Sequence, residues 1–372
     1  MKVTIERSVL LKALGHVHRI VERRNTIPIL ANVLIEAKDG KLALKSTDLD
    51  LEAAESIPAD VAQSGATTVP AHVIYDIVRK LPEGAQASLE TTGDAGQLVL
   101  RAGRSRFTLQ ALPASDFPDL TAGEFSHRFA IPAAELKRLI ENTQFAISTE
   151  ETRYYLNGIY LHATKADEVP VIRAVATDGH RLARVEMVLP EGAAGMPGVI
   201  IPRKTVLELR KLIEEGENEV QIALSETKIR FVLGEATLTS KLIDGTFPDY
   251  DRVIPVNNDK VLEVDCKSFA EAVDRVSTIS TEKSRAVKLT IENGGLKVSA
   301  TSPENGTAEE ELEVRYLFGP LEIGFNSRYL LDITEQIGGE GVQFKMSDAG
   351  SPTIVLDSAD RSSLYVLMPM RV

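Results

Sequence analysis

The sequence has little cysteine, few aromatic residues and no long apolar run, and each shortage removes a class of protein. Its one cysteine, Cys266, cannot form an internal disulfide framework or a cysteine-rich zinc site, so a reducing cytoplasm is the expected compartment. No apolar run approaches the roughly 20 residues of a membrane helix. Near the start, apolar residues 9–11 lie between Glu6, Arg7 and Lys12, which is not the core of a signal peptide.

Enzyme signatures are scarce as well. Residues 176–183 read Ala-Thr-Asp-Gly-His-Arg-Leu-Ala and place Asp178, His180 and Arg181 beside a glycine. A hydrolase that uses Asp178 and His180 is one interpretation. Catalytic sets are usually gathered from separate elements, however, and the sequence has no glycine-elbow nucleophile, no phosphate-binding glycine loop and no metal-spaced set of histidines and cysteines. We therefore expect a protein without catalytic activity, cofactor or metal ion.

A chain of 372 residues is longer than one hydrophobic core normally serves, and this chain repeats itself. Amphipathic helices are predicted to begin near residues 6, 70, 132, 202, 266 and 327, each after one strand and before several more. Phe117-Pro118-Asp119 is echoed 130 residues later by Phe247-Pro248-Asp249, and Ser46-Thr47-Asp48 is echoed at the same distance by Ala176-Thr177-Asp178. The repeat predicts an α+β fold of three similar domains, each with two helices and many strands.

The domain boundaries are expected where turn-forming residues interrupt the repeat. Ala122-Gly123 and residues 255–258 have the composition of linkers. The predicted domains are therefore residues 1–123, 124–255 and 256–372.

The formal net charge of −12 argues against a nucleic-acid partner only if charge is evenly spread. The six predicted helices carry a net charge of +4, and the remainder carries −16. Most charges on helix faces are simply solvated, but cations recur from helix to helix and favour contact with phosphates. The candidates are Arg24, Arg79, Lys80, Arg138, Lys204, Lys211 and Arg275. Few aromatic residues accompany them, so contact with a duplex backbone is expected rather than stacking on single strands.

Seven segments carry a resemblance to a known family. They are residues 67–71 (TTVPA), 103–107 (GRSRF), 116–118 (DFP), 153–158 (RYYLNG), 176–183 (ATDGHRLA), 247–250 (FPDY) and 368–372 (MPMRV). With them the chain resembles the bacterial DNA polymerase sliding clamp, the β subunit of the replicative polymerase, over essentially its full length. The resemblance implies a head-to-tail homodimer closed into a ring, with helices lining a central hole and antiparallel sheets outside. Such a ring would be a processivity factor that holds duplex DNA by topology, in the cytoplasm with the nucleoid.

The resemblance also implies roles for individual residues. Arg24, Tyr154 and Tyr155 match positions that touch DNA, although Glu150 and Glu151 occupy the same loop. The implied dimer interface uses an edge strand from Arg104 to Leu109, and its residues are Arg104, Arg106, Phe107, Leu109 and Ile279. The two arginines could face the acidic run 309–311, which could instead be a solvated loop.

A cleft between the second and third domains is implied to bind linear peptides from the polymerase, the clamp loader, repair polymerases, and ligase or mismatch-repair proteins. The matching residues are Leu156, Thr177, Gly179, His180, Arg181, Leu182, Pro248, Arg252, Val253, Asn326, Tyr329, Val366, Met368, Pro369, Met370 and Arg371. Apolar and methionine side chains suit an adaptable pocket, and Asp178 is expected to hold the turn. A monomeric scaffold of three domains is the remaining alternative.

Overall fold

The computed structural model describes residues 1–93, 96–120, 123–213, 218–280 and 285–372. The chain folds into two compact units. Unit 1 contains Met1–Leu136, Pro190–Pro197 and Lys204–Leu242, and unit 2 contains Lys137–Leu189, Gly198–Arg203 and Ile243–Val372. The predicted boundary residue Ala122 lies outside the described residues, so the three domain boundaries stay a prediction.

Six α-helices lie in the described residues, each beginning within one residue of its predicted start. They are α1 (Arg7–His18), α2 (Ala71–Lys80), α3 (Ala133–Gln144), α4 (Arg203–Ile213), α5 (Cys266–Ser277) and α6 (Ser327–Thr334). Short 3-10 helices span Pro28–Ala31, Ala114–Asp116, Glu151–Leu156 and Tyr250–Val253. Asp265 and Asn326 cap α5 and α6, each accepting a hydrogen bond from a backbone N–H of the first turn. None of these helices is long and apolar enough to cross a membrane.

Helix α1 is shorter than the sequence predicts. The apolar spacing predicts a helix from about Glu6 to Val21, and the charge count extends it to residue 24, but α1 ends at His18. The His72 side chain donates a hydrogen bond to the Val21 carbonyl over 2.8 Å, so that carbonyl has a partner outside any helix. Beyond Val21 the chain has little apolar surface to bury, and Arg24 lies in an exposed loop instead of on a helix.

Twenty-five strands lie in the described residues. In chain order they are β1 (Lys2–Glu6), β2 (Asn32–Lys38), β3 (Lys41–Thr47), β4 (Leu51–Pro58), β5 (Asp60–Gln63), β6 (Gly65–Pro70), β7 (Gln86–Thr91), β8 (Gln97–Ala102), β9 (Ser105–Gln110), β10 (His127–Pro132), β11 (Gly158–Ala166), β12 (Val169–Thr177), β13 (Arg181–Val188), β14 (Val199–Pro202), β15 (Glu219–Leu224), β16 (Lys228–Leu233), β17 (Ala236–Lys241), β18 (Lys260–Asp265), β19 (Ala286–Glu292), β20 (Gly295–Ser302), β21 (Gly306–Glu313), β22 (Leu321–Asn326), β23 (Gly341–Met346), β24 (Thr353–Asp357) and β25 (Ser363–Leu367). The predicted hairpin between β2 and β3 is confirmed, since Asp39 and Gly40 both adopt positive φ as a type I′ turn requires.

Each unit contains two antiparallel sheets. Unit 1 has a five-stranded sheet in the order β5-β1-β7-β8-β9 and an eight-stranded sheet in the order β10-β15-β16-β17-β4-β3-β2-β6. Unit 2 has an eight-stranded sheet in the order β14-β11-β12-β13-β25-β24-β23-β18 and a four-stranded sheet in the order β21-β20-β19-β22. The pairs β4–β17 and β13–β25 join strands of successive predicted domains into one sheet. Pairs of helices over antiparallel sheets confirm the predicted α+β class.

The strands before α2, α3 and α4 all end in proline, and this differs from the expected arrangement. The sequence suggests that Pro70 opens α2, but Pro70 ends β6 with an extended backbone and α2 begins at the next residue. Pro132 and Pro202 end β10 and β14 in the same way. Proline at this position is tolerated because the first helical N–H groups need no intrahelical acceptor.

Candidate functional site

The centre of the site is the tight turn between β12 and β13. Thr177 donates its hydroxyl to the Arg181 carbonyl over 2.7 Å and accepts the Gly179 N–H over 3.1 Å. The Asp178 carboxylate accepts the backbone N–H of His180 at 2.9 Å and of Arg181 at 3.1 Å. Gly179 has a φ of +88°, which favours glycine. The predicted turn-holding role of Asp178 is confirmed, because its carboxylate is committed to the backbone.

Beside this turn unit 2 has a cavity of about 270 Å³, here called the cleft. Ten of the predicted peptide residues line it: Leu156, Thr177, Gly179, His180, Arg181, Leu182, Pro248, Val253, Val366 and Met368. Four further residues also line it: Arg153, Tyr155, Asp249 and Tyr250. Asp249 belongs to the repeated Phe-Pro-Asp motif and Tyr250 follows it directly, so the repeat pointed to this segment.

The cleft combines a buried floor with an exposed rim. Leu156, Leu182, Tyr250 and Val366 belong to one packed apolar cluster of unit 2. At the rim, Val253 is 53% exposed and Met368 is 43% exposed. The backbone N–H of Met368 bonds the His180 carbonyl over 3.0 Å and thereby fixes the end of β25 beside the turn. A preformed apolar floor below exposed side chains suits the capture of an apolar segment.

Six predicted peptide residues do not line the cavity: Arg252, Asn326, Tyr329, Pro369, Met370 and Arg371. The Arg252 side chain is 84% exposed and pairs with Asp249 over 2.8 Å. Asn326 caps α6, and the Met370 N–H bonds the Gly324 carbonyl over 2.8 Å. Gly324 leaves no room for a side chain there, since an added Cβ would lie 2.7 Å from the Met370 carbonyl oxygen. The chain end therefore lies along β22, next to the cleft.

Arg181 has a structural role that its place in the sequence did not reveal. Its guanidinium pairs with Asp178 over 3.1 Å, pairs closely with Asp332 of α6, and donates to the Phe145 carbonyl over 2.6 Å. The same group lies 4.2 Å from the Tyr329 ring centroid and 5.1 Å from that of Phe145. With a side chain only 9% exposed, Arg181 ties the turn to α6 and supports the cleft wall.

The first repeat builds the same turn over a different floor. Thr47 donates to the Leu51 carbonyl over 2.9 Å, Asp48 accepts the Leu51 N–H over 2.7 Å, and Leu49 takes the positive φ. Opposite Thr47 in the ladder stands Glu52, where Leu182 stands opposite Thr177. Glu52 is buried and pairs with Lys45 over 3.5 Å. An ion pair thus stands in the first repeat at the ladder position where Leu182 contributes to the apolar floor of the cleft.

The three domain models of one family match nearly the whole chain. The N-terminal, central and C-terminal domains of the DNA polymerase III beta subunit match residues 1–121, 130–249 and 251–371. The chain belongs to the DNA polymerase III beta subunit family. The beta sliding clamp of Caulobacter vibrioides is 55% identical over 372 residues, and that of Escherichia coli strain K12 is 42% identical over 373 residues, each alignment covering 100% of both chains.

Solved structures of the family share the fold. A sliding clamp from Bartonella birtlesii bound to griselimycin matches with a TM-score of 0.97 at 55% identity, covering 100% of both chains. A Pseudomonas aeruginosa clamp bound to griselimycin matches with a TM-score of 0.95 at 43% identity, again over 100% of both chains. The resemblance seen in the sequence is confirmed, as are the three clamp domains and the role of a polymerase processivity factor. The partners of the family are DNA and a polymerase, and the family is one of clamps rather than of catalysts.

Several predicted DNA-contacting cations have partners that the sequence did not reveal. Lys204 donates to Asp48 over 2.6 Å and to the Ile20 carbonyl over 3.1 Å, and it also pairs with Glu22. Arg138 is partly buried and donates to the Ser362 hydroxyl over 2.8 Å. These two cations therefore hold their own units together, and their contact with DNA stays a prediction.

The remaining cations are more exposed. Arg275 pairs with Glu310 over 2.7 Å, Arg79 pairs with Asp76 over 3.1 Å, and Lys211 pairs with Glu208 over 2.8 Å. Exposed ion pairs of this kind contribute little to stability, so each cation can leave its carboxylate and bind a phosphate instead. Arg24 and Lys80 are exposed without a carboxylate contact among the described ion pairs.

The loop after α3 places its two tyrosines differently. Tyr154 is 53% exposed, whereas Tyr155 lines the cleft, and their ring centroids lie 5.8 Å apart. Glu150 forms two hydrogen bonds with the Arg153 guanidinium at 2.7 and 2.8 Å. This contact with Arg153 lowers the pKa of Glu150. The negative charge that the sequence placed beside DNA is thus partly offset within the loop.

Both units end a sheet in an exposed strand, as an interface between copies would need. Strand β9 is the edge of the five-stranded sheet, and Phe107 with Val73 and Ile77 lines an adjacent cavity of about 390 Å³. Leu109 is buried in unit 1. Strand β21 is the edge of the four-stranded sheet and contains the acidic run 309–311, so the interpretation of that run as a solvated loop was wrong. Alternation along β21 makes Glu309 and Glu311 exposed while Glu310 turns back to Arg275.

Proposed function

We propose that this protein is a nonenzymatic, head-to-tail homodimeric ring that encircles duplex DNA, slides on it and tethers its partners through the cleft. The cleft carries the proposal: a cavity of about 270 Å³ with an apolar floor lies beside the turn at 177–181 and the end of the chain. Membership of the clamp family supports the ring and the three domains of residues 1–123, 124–255 and 256–372. No step in this function needs a catalytic group, a cofactor or a metal ion, and we place the protein in the bacterial cytoplasm with the nucleoid.

The proposed partners of the cleft are apolar linear motifs of the replicative polymerase, the clamp loader, repair polymerases, ligase and mismatch-repair proteins. Leu156, Leu182 and Val366 would hold apolar side chains of such a motif, and Met368 can adapt its unbranched side chain to different sequences. Griselimycin, which two related clamps bind, would take the same place. Asn326, Tyr329 and residues 369–371, which lie beside the cavity, would extend the contact.

The proposed dimer pairs the edge strand β9 of one copy with the edge strand β21 of the other. Exposed Arg104 and Arg106 would meet the exposed carboxylates of Glu309 and Glu311, and opposite charges favour one orientation of the strands. Ile279 of the partner copy would enter the apolar cavity beside Phe107. A head-to-tail interface of this kind closes when two copies satisfy both ends at once.

The proposed DNA contacts are weak and independent of sequence. The exposed candidates are Arg24, Arg79, Lys80, Tyr154, Lys211 and Arg275. Weaker candidates are Arg138 and Lys204, which already bond other residues, and Tyr155, which lines the cleft. Contacts to phosphates without base recognition allow a ring to slide while topology prevents dissociation.

Retention on circular and linear duplexes tests the ring. An encircling dimer should stay on a closed circle and run off a linear duplex of the same sequence after loading. Equal retention on both would contradict encirclement. Size-exclusion chromatography with light scattering separates the same proposal from a monomeric three-domain scaffold, since a monomer at working concentration would exclude the ring.

Deletion of Met368–Val372 tests the cleft. The deletion removes the rim and the chain end beside β22, so binding of griselimycin should be lost while the dimer persists. Unchanged affinity in the truncated protein would contradict the assignment of the cleft. Arg361→Ala, a change of an exposed residue outside the cleft, serves as the control and should bind normally.

A further inference from the structure

One wall of the cleft is a segment with little regular structure that needs support from elsewhere. Residues 247–253 provide Pro248, Asp249, Tyr250 and Val253 to the cavity, and only a 3-10 turn at Tyr250–Val253 is regular. Such a segment has few backbone hydrogen bonds to fix its position. Its conformation therefore depends on where its side chains are held.

Strand β11 holds the segment by an aromatic stack. Tyr160 and His162 lie on the same face of β11, two residues apart, with ring centroids 4.7 Å apart. On its other side the Tyr160 ring stacks on Phe247, with centroids 4.8 Å apart and an interplanar angle of 9°. The stack continues from His162 through Tyr160 to the first residue of the cleft wall.

A second anchor begins at the hydroxyl of Tyr250. The Tyr250 hydroxyl lies 2.8 Å from His162 Nε2 and accepts a longer contact of 3.4 Å from Arg173 Nη1. Arg173 on β12 is itself buried and donates to Glu186 on β13 over 2.6 Å. Tyr250 is 6% exposed, so its hydroxyl group depends on these protein partners. Three neighbouring strands therefore meet at one cleft-lining side chain.

We propose that His162, supported by Arg173, is a positioning residue for the cleft: it holds the Tyr250 hydroxyl and so sets the wall against which an apolar ligand packs. This inference rests on the proposed peptide-binding function of the cleft. His162 does not line the cavity and acts on the ligand through Tyr250. The ligand class is the one proposed above, an apolar linear motif, for which griselimycin is the probe.

The network responds to pH in a defined direction. Tyr160 on its own strand and Tyr250 contact His162, and the charges of Arg173 on β12 and Asp251 of the cleft wall act on it. On β13, Glu186 acts on Arg173 and Arg184 acts on Tyr250. Burial, and next the Arg173 guanidinium, lower the pKa of His162 below its ordinary value of 6.5. Protonation adds a second cation beside Arg173 and removes the Nε2 lone pair that accepts the tyrosine proton.

The sign follows from the lowered pKa. His162 binds its proton less readily in the folded protein than in the unfolded chain. The stabilising effect of the network is therefore present above pH 6.5 and is lost as pH falls through the lower pKa that His162 has in the folded state. Affinity for a ligand packed against Tyr250 should therefore be constant at neutral pH and fall on the acid side.

Calorimetric binding of griselimycin to the full-length protein, from about pH 5 to about pH 8, tests the proposal. Tyr250→Phe should weaken binding about fivefold at neutral pH, the factor that corresponds to one lost hydrogen bond. His162→Gln keeps a hydrogen-bonding amide but cannot titrate. The fall in griselimycin affinity at acid pH should therefore disappear in this variant, whatever its affinity at neutral pH. His180→Gln, which changes the histidine that does line the cleft, should keep the acid-side loss. Lys165→Ala, at an exposed position of the same strand, should bind as the unchanged protein does.

The outcomes separate this inference from the proposed function. If the unchanged protein binds griselimycin but Tyr250→Phe binds equally well and His162→Gln keeps the acid-side loss, the positioning role is refuted and the cleft stands. If the unchanged protein does not bind, or binds equally after deletion of Met368–Val372, the cleft assignment fails and this inference fails with it. If Tyr250→Phe does not fold, the pH profile of His162→Gln alone decides: a flat profile supports the positioning role, and an unchanged profile overturns it.

Discussion

Replacing Arg181 by alanine should weaken unit 2 rather than simply weaken ligand binding. The change leaves the Asp178 and Asp332 carboxylates without their guanidinium and removes the donor to the Phe145 carbonyl. It also removes a cation that lies against two aromatic rings. Breaking a buried pair by removing one partner costs about 3–5 kcal/mol. Because the Asp332 side chain keeps 24% exposure, we expect the lower end, about 3 kcal/mol.

Two further variants sharpen this prediction. Arg181→Lys should recover only part of the loss, since lysine cannot reach two carboxylates and a carbonyl with one planar group. Arg252→Ala is the matched control, an arginine of the same predicted set whose side chain is 84% exposed and pairs locally with Asp249. Its change in the free energy of unfolding should be within about 0.5 kcal/mol.

The assay must resolve one unit from the other, because a chain of several domains need not unfold in a single step. Hydrogen–deuterium exchange during guanidinium titration reports protection of β13 and α6, with β1 and β8 of unit 1 as the internal reference. Protection of β13 and α6 in Arg181→Ala should be lost at a lower denaturant concentration while that of β1 and β8 is unchanged. Equal protection of β13 in Arg181→Ala and Arg252→Ala would refute the supporting role of Arg181.

Three further predictions concern a turn glycine and two carboxylates on strands. Gly179→Ala should destabilise unit 2 by about 1–2 kcal/mol, because φ is +88° and the new Cβ would lie 2.6 Å from Arg153 Nη1; thermal unfolding measures it, and no change would contradict the strain. Burial raises the pKa of Glu52 above its ordinary value of 4.5, so Glu52 stabilises unit 1 below pH 4.5, and this stabilisation is lost as pH rises. In Glu52→Gln the unfolding midpoint of unit 1 should therefore depend less on pH. An unchanged pH dependence of that midpoint would contradict the prediction. Asp357→Ala leaves the N–H groups of residues 338, 339 and 359 without their carboxylate and should cost about 2–3 kcal/mol, with partial rescue by Asp357→Asn in denaturant unfolding.

Local pattern was a good guide wherever the structure itself is local. The six helix starts depend on apolar spacing and on residues such as Asp265 and Asn326 that cap the next turn, so they were predicted to within one residue. The turn at 177–181 is held by Thr177 and Asp178 bonding groups two to four residues away. Hydrogen bonds between residues so close in the sequence form whenever the turn forms, so the sequence is enough to predict them.

The partners of the charged side chains could not be predicted from the sequence. The charge count predicted cationic helices, yet Lys204 pairs with Asp48 across 156 positions and Arg138 bonds Ser362 across 224 positions. The end of α1 is another case, since Val21 bonds His72 instead of continuing the helix. The spacing of apolar residues does not indicate which side chains become neighbours when strands from different repeats join one sheet.

By itself, the sequence determined the threefold α+β repeat and the turn, because these follow from spacing and residue type. The family, and with it most of the apolar side chains of the cleft, came from the resemblance of seven segments to known clamps. Only the tertiary structure decided that Arg181 supports the wall, that Tyr250 completes it, and that the buried Glu52 of the first repeat pairs with Lys45 at the ladder position that Leu182 occupies in the cleft. It also decided that the acidic run 309–311 is a sheet edge. The physical reason is that burial and pairing are set by distances between elements, and those distances exist only once the sheets have assembled.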